Sequence, residues 1–171
     1  YPDLLHNEQS PCLFSHQLLD ARIKPMLERG EKVVLLVFDN LRLDQWQEIQ
    51  PLMTSRFRVE SDELYASILP TATQYARNAL LGGAMPSELA KRHPDRWVRD
   101  VLDAEGGRNS SEDFYLSHWA ASRGFATPGY AKLTHGASEQ KFVSKSTCSM
   151  DRAKPGKVPR TPPRKIRREI C

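Results

Sequence analysis

An uninterrupted apolar run over residues 33–38 constrains the fold of this chain more than any other feature. The run shows no alternation of apolar and polar residues and is shorter than an ordinary helix. Such runs are typical of strands in a parallel sheet that is covered by helices on both faces. Asp39 follows the run directly. We therefore expect its carboxylate at the carboxyl end of a buried strand, where open α/β sheets bind ligands.

Helix-like and strand-like segments alternate on either side of this run. Ser15 is a candidate N-cap, Gly30 is a helix stop, and the chain between them has apolar residues at helical spacing. Further helices are predicted over residues 43–57, 74–81, 86–91, 96–102 and 111–122, and a second strand over residues 58–67. This order predicts an α/β fold with a mostly parallel sheet flanked by helices.

The positive charge is concentrated at the C-terminal end. The formal net charge is +4, yet residues 141–171 alone contain ten Lys or Arg against two acidic residues. Proline, small polar and basic residues dominate after residue 123, and such a segment buries too little apolar surface to offset its ordering entropy. We therefore expect an irregular segment over residues 1–14, an ordered domain over 15–122, and a disordered basic tail over 123–171.

Hydropathy and cysteine usage argue against membrane and disulfide-rich proteins. Mean hydropathy is −0.57, and no apolar run approaches the roughly 20 residues of a spanning helix. The start of the chain lacks a basic region followed by an apolar one, as a signal peptide would have. The three cysteines form neither a metal-binding pair pattern nor a disulfide framework. We expect a cytoplasmic protein with reduced thiols and no membrane partner.

Asp39 and two threonines are the first candidates for chemistry. Asp39 is suited to bind a cation, or equally to cap the following helix. Thr71 and Thr73 lie in a polar turn before a predicted helix, whose amide groups and dipole favour an anion. A threonine hydroxyl there could attack phosphorus if a metal lowered its pKa. Helix capping is the commoner role for such threonines.

Arg42 and Asn78 are the second group of candidates. The guanidinium of Arg42 could bind a phosphate in a forked geometry, or form an ion pair with Asp44 at a helix start. The amide of Asn78 could donate a hydrogen bond to a phosphate oxygen. Asparagine is mildly unfavourable inside a helix, which favours a functional role. No two of the five histidines have metal-ligand spacing on one element.

Two segments resemble a known family. VVLLVFDNLRLDQW, at residues 33–46, and SILPTATQYARNALLGGAMPSE, at residues 67–88, resemble the PglZ domain, a branch of the alkaline phosphatase superfamily. They are most similar to the PglZ portion of PorX-type two-component response regulators. The second segment is also similar to the nucleophile stretch of nucleotide pyrophosphatase/phosphodiesterases. The resemblance covers residues 15–105.

The resemblance implies a partial alkaline-phosphatase-like sheet and a site with two divalent metals, usually zinc. It implies that Asp39 is a metal ligand and that Thr73 is the nucleophile bridging the metals, with Thr71 as the second choice. It also places Asn78 near the phosphate-binding asparagine of the family. The implied activity is metal-dependent hydrolysis of a phosphate ester or nucleotide-like substrate.

The resemblance also carries expectations about the rest of the protein. Family members complete the site with downstream Asp and His ligands that this sequence lacks, so we expect the first half of such an enzyme, from a truncated or frameshifted gene. A receiver domain is expected upstream, and a homodimer is compatible with the family. The alternatives are a catalytically incomplete binding or signalling module, and a nucleic-acid binder acting through residues 141–171.

Overall fold

A computed structural model describes residues 4–5, 12–97, 110–133 and 165–170, the last of these for the backbone alone. None of the helices in these ranges is long and apolar enough to cross a membrane. The elements in chain order are α1 (Lys24–Glu28), α2 (Leu43–Thr54), β1 (Arg58–Leu64), α3 (Thr73–Gly82), α4 (Pro86–Arg92), α5 (Glu112–Ser122) and β2 (Lys165–Ile170).

The predicted helices are largely confirmed. The helices expected over residues 43–57, 74–81, 86–91 and 111–122 are observed as α2, α3, α4 and α5. Most of the helix expected over residues 96–102 lies outside the described residues.

The first helical segment differs from its prediction in detail. It begins with a 3-10 turn, Ser15–Gln17, continues as a π-helical turn, Leu19–Ile23, and ends as α1. Ser15 is not the N-cap, because Phe14 holds that position. The Ser15 hydroxyl instead accepts a hydrogen bond from the Ile68 N–H at 3.2 Å. This bond ties the first turn to the chain that leads into α3.

The core is built around α5. Trp119 and Ala120 pack against Leu19, and Tyr115 packs against Ala84 and Leu89. Tyr115 and Trp119 are four residues apart, so one face of the helix carries both contacts. Helix α3 packs against α5 and against the 3-10 turn. The start of α3, which carries Thr73, is thus positioned by the best-packed part of the domain.

The apolar run of residues 33–38 is not a buried strand. It has no regular secondary structure and no strand pairing to any described residue, and Val34, Leu36 and Phe38 are 83%, 54% and 56% exposed. Leu35 packs partly against the Leu19 and Trp119 cluster. The prediction of burial on both faces was wrong for the described part of the chain. A parallel strand is buried only between neighbouring strands and two helical layers, and the described residues supply one helical layer.

Helix α2 shows the same effect. Five apolar residues recur at helical spacing along it and should form one buried face, yet only Trp46 among them is buried: Leu43, Trp46, Ile49, Leu52 and Met53. The spacing predicted the helix correctly. The predicted burial is not observed, because no described element covers most of that face.

The described strands form one parallel pair. β1 pairs with β2, with an irregularity between Val59 and Ser61, and the register places Asp62 opposite Arg168. The first of these strands was predicted. The second, Lys165–Ile170, lies within residues 123–171, and the disorder expected for that tail stays a prediction. Composition could not predict the strand, because backbone hydrogen bonds to β1 depend on a distant segment. The larger sheet stays a prediction.

An aromatic cluster joins the end of α4 to α5. The ring centroid of His93 lies 4.5 Å from that of His118 and 5.0 Å from that of Phe114. The Nε2 atom of His93 is buried without a hydrogen-bond partner among the described residues. Burial first, and then the charges of His118 and Arg92, lower the pKa of His93 below its ordinary value of 6.5.

We expect the domain to lose stability as the pH falls below 6.5, the ordinary pKa of His93. The unfolded chain then takes up a proton that folded His93 binds only at lower pH, so His93 leaves stability unchanged above that value and lowers it below. Urea unfolding at about pH 7.5 and about pH 5.5 measures the loss. In His93→Gln, the loss of unfolding free energy between the two pH values should be smaller. His118→Gln should retain most of it, and an unchanged loss in His93→Gln would contradict the assignment.

Candidate functional site

The candidate site lies at the N-terminal end of α3. Thr73 is the first residue of this helix, Ala72 holds the N-cap position, and no side chain caps the helix. Thr73 is exposed, and its hydroxyl makes no hydrogen bond to the part of the chain that the structure describes. The capping role considered for Thr73 is therefore not observed. Its hydroxyl is available beside amide groups that lack helical partners.

Asp39 approaches α3 from the turn after residues 33–38. Its Oδ2 atom accepts a hydrogen bond from Arg77 Nη1 at 3.1 Å. Arg77 lies four residues after Thr73, and residues at that spacing share one face of a helix. Asp39 therefore contacts a residue of the helix face to which Thr73 belongs by its spacing. Asn40 follows with a positive φ of 60°, in the turn that leads toward α2.

Arg77 connects Asp39 to a buried carboxylate. Its Nη2 atom contacts Oε1 of Glu112, a residue that is 1% exposed. The other oxygen of Glu112 accepts a hydrogen bond from the Tyr130 hydroxyl at 2.6 Å and lies 3.0 Å from Lys132 Nζ. These ion pairs form a row from the surface into the interior with equal positive and negative charge: Asp39, Arg77, Glu112 and Lys132.

The ion pairs change the protonation equilibria of this row. Burial lowers the pKa of Arg77, but hydrogen bonds to Glu112 and Asp39 and the charges of both carboxylates outweigh it, so the pKa is raised overall. Burial, followed by the hydrogen bond to Glu112, raises the pKa of Tyr130. Arg77 therefore stays charged and Tyr130 stays a neutral donor at all ordinary pH values.

The remaining predicted residues lie apart from this row. Asn78 is five residues after Thr73, which is about 140° around the helix. It is buried, and its Oδ1 has no partner among the described residues. Thr71 is exposed in the preceding turn. The structure therefore does not bring Asn78 to the Thr73 face.

Arg42 adopts its alternative role. Its guanidinium is exposed and pairs with Asp44, with Nε to Oδ1 at 2.9 Å and Nη2 to Oδ2 at 2.5 Å. The hydrogen bond from Arg42 lowers the pKa of Asp44. Within the described ranges, no hydrogen bond or ion pair joins Arg42 to Asp39 or Thr73. The predicted ion pair at the helix start is observed, and the phosphate contact stays a prediction.

Sequence reasoning missed Arg77, Glu112, Tyr130 and Lys132. The spacing of four between Thr73 and Arg77 could have identified Arg77, since it places both on one helical face. No spacing pattern in the sequence indicated the contacts of Glu112. Its partners come from α3 and from the extended chain after α5.

This arrangement belongs to a known class of domain. Helices with a parallel strand pair, and a free threonine at a helix start beside an aspartate, agree with an alkaline-phosphatase-like α/β domain of the phosphoesterase type. The sequence model of the BREX system PglZ alkaline phosphatase-like domain matches residues 18–144. The chain belongs to the PglZ family. The match extends past residue 122, the predicted end of the ordered domain. No curated protein matches the chain.

The described residues do not by themselves fit the metal pair that the family implies. They contain no group of three or more His, Cys, Asp or Glu side chains that could hold a metal ion. Zinc sites in proteins use at least three protein ligands, whereas the candidate site offers the carboxylate of Asp39 and the hydroxyl of Thr73. The Asp39 carboxylate is also already paired with Arg77. Alkaline-phosphatase-like domains are generally metal-dependent.

Proposed function

We propose that this chain contributes part of a phosphate-ester hydrolase site, with Thr73 as the attacking residue. Membership of the PglZ family supports the reaction class. The observation that carries the proposal is the uncapped, exposed Thr73 at the start of α3, with Asp39 hydrogen-bonded to Arg77 of the same helix. A phosphodiester or phosphomonoester is the substrate class that suits this geometry.

The start of α3 can bind and orient a phosphate group. The Tyr75 and Ala76 N–H groups donate to the Ala72 carbonyl, and the N–H groups before them have no helical acceptor. The positive end of the helix dipole also favours an anion. The Thr73 hydroxyl lies beside these donors, where its oxygen would form a bond to phosphorus as the ester oxygen leaves. A threonine is a weak nucleophile unless its hydroxyl is activated. We therefore propose that residues other than those described complete the site.

Replacing Thr73 tests this proposal. We expect Thr73→Ala to lower the hydrolysis of a chromogenic phosphodiester by about tenfold or more, because the attacking oxygen is lost. The assay uses the full chain with added zinc. Thr71→Ala is the matched control, since Thr71 is an equally exposed threonine of the same turn, and it should stay within about twofold of the wild type. Equal losses in both variants, or a wild-type chain without hydrolysis, would refute the proposal.

A catalytically incomplete binding module is the second candidate. It is favoured by the small number of metal-ligating groups that the described residues bring together. Such a module should bind a phosphodiester without turning it over. Calorimetry with a non-hydrolysable phosphonate diester would then show binding that weakens in Thr73→Ala, while the hydrolysis assay stays at background. Control by an upstream receiver domain is proposed only from the resemblance to PorX-type regulators.

A further inference from the structure

We propose that Arg77 is a phosphate-binding residue of the Thr73 site, and that its guanidinium donates hydrogen bonds to the non-bridging oxygens of the bound phosphate group. The inference rests on the proposed function in taking the start of α3 as the place where the phosphate binds. It requires neither hydrolysis nor a metal ion. The sequence suggested Asn78 and Arg42 for such a contact. Asn78 lies on another face of α3, and Arg42 is paired with Asp44.

Arg77 belongs to the face of α3 that carries Thr73, since the two residues are four positions apart. Long side chains of a helix lean toward its N-terminal end and cover the turn before their own position. The Arg77 side chain is thereby directed toward the first turn of α3, where Thr73 is exposed. A phosphate group within reach of the Thr73 hydroxyl would carry its non-bridging oxygens next to the Arg77 guanidinium.

The guanidinium of Arg77 retains donors after its two ion pairs are formed. Nη1 donates to Asp39 at 3.1 Å, and Nη2 pairs with Glu112. No other described residue accepts a hydrogen bond from this side chain. A guanidinium has about five N–H donors, so these two bonds leave about three for a ligand. Its planar fork also matches the spacing of two phosphate oxygens, which a lysine ammonium cannot do.

Carboxylates from two different segments hold the guanidinium in place. Asp39 follows residues 33–38, Glu112 begins α5, and the Arg77 side chain that they fix is 19% exposed. A side chain that is already fixed loses little further conformational entropy when a ligand binds. The part of Arg77 that stays exposed can be reached by a small anion from the solvent. The two ion pairs therefore prepare Arg77 for binding an anion.

Arg77 could instead only neutralise the two carboxylates and act on a nearby anion through charge alone. Restoring the charge balance without restoring the donors separates these roles. In the double variant Arg77→Met with Asp39→Asn, the row again has equal charge, from Lys132 and Glu112. An effect of charge alone predicts that phosphate binding recovers in the double variant. Direct donation predicts that binding stays weak, because methionine has no N–H group.

Calorimetric titration of the full chain with inorganic phosphate measures the contact, with a chelator present to prevent binding through a metal ion. We expect Arg77→Met to weaken phosphate binding by about tenfold or more, as the loss of a hydrogen bond to a charged group does. The double variant should be equally weak, and Asp39→Asn alone should bind at least as tightly as the wild type. Arg29→Met is the matched control, because Arg29 also pairs with a carboxylate, that of Glu31, and contacts no described residue of the row. It should leave the affinity unchanged.

Arg77→Lys keeps the test decisive if Arg77→Met does not fold, which circular dichroism reports. A lysine retains the charge but lacks the fork, and the two carboxylates occupy most of its donors. We therefore expect phosphate affinity between those of the wild type and Arg77→Met. Recovered binding in the double variant, wild-type affinity in Arg77→Lys, or a wild-type chain that binds no phosphate would overturn the proposal. Phosphate binding that depends on Arg77 in a chain without hydrolysis would refute the proposed function and leave this inference standing.

Discussion

Replacing Glu112 with alanine should destabilise the domain by about 2–3 kcal/mol, because it removes a buried carboxylate that accepts from, or pairs with, three side chains. Glu112 is 1% exposed and is contacted by Arg77, Lys132 and Tyr130. The loss should lie below the range for broken buried pairs, since Lys132 is exposed and Arg77 keeps its bond to Asp39. Urea-induced unfolding followed by circular dichroism measures the change.

Two control variants separate charge from hydrogen bonding at Glu112. Glu112→Gln keeps an acceptor for Arg77 or Tyr130 and should cost about 1–2 kcal/mol. Glu28→Ala removes an exposed glutamate whose carboxylate lies 3.8 Å from Lys24 on the same helix, and should cost less than about 0.5 kcal/mol. A Glu112→Ala loss no larger than that of Glu28→Ala would show that the row does not stabilise the fold.

Gly83→Ala should destabilise the domain by about 2–4 kcal/mol, since it combines steric overlap with backbone strain. Gly83 ends α3 with a φ of +59°, and an added Cβ would lie 2.6 Å from Trp119 Cδ1 and 2.9 Å from its Nε1. The Trp119 ring is buried, and its Nε1 donates to Asp20 at 3.3 Å. The ring therefore has little freedom to move away, and the contact between α3 and α5 must open.

Gly30→Ala is the matched control for Gly83→Ala. Gly30 also has a positive φ, +74°, but an added Cβ there would meet no atom within 4 Å. Its cost should be the backbone strain alone, about 1 kcal/mol. Thermal or urea unfolding of both variants then isolates the packing contribution at Trp119. Equal losses would show that the ring accommodates the methyl group.

Local patterns in the sequence determined the helices and the position of Thr73. Local patterns of apolar, polar and turn residues predicted α2, α3, α4 and α5, and the polar turn after Pro70 predicted a helix start just after the threonine pair. The two segments at residues 33–46 and 67–88 also identified the PglZ family. These features depend on residues within a few positions of each other, so one sequence is enough to predict them.

Only the tertiary structure decided which side chains surround the candidate site. Arg77, rather than Asn78, faces Asp39, and the partner of Arg77 in the interior is Glu112, on a helix that begins more than thirty residues later. The exposure of residues 33–38 also depends on the tertiary structure, because the described chain supplies only one helical layer to cover them. Burial and ion pairing depend on elements distant in the sequence, and no local spacing encodes which of these elements meet.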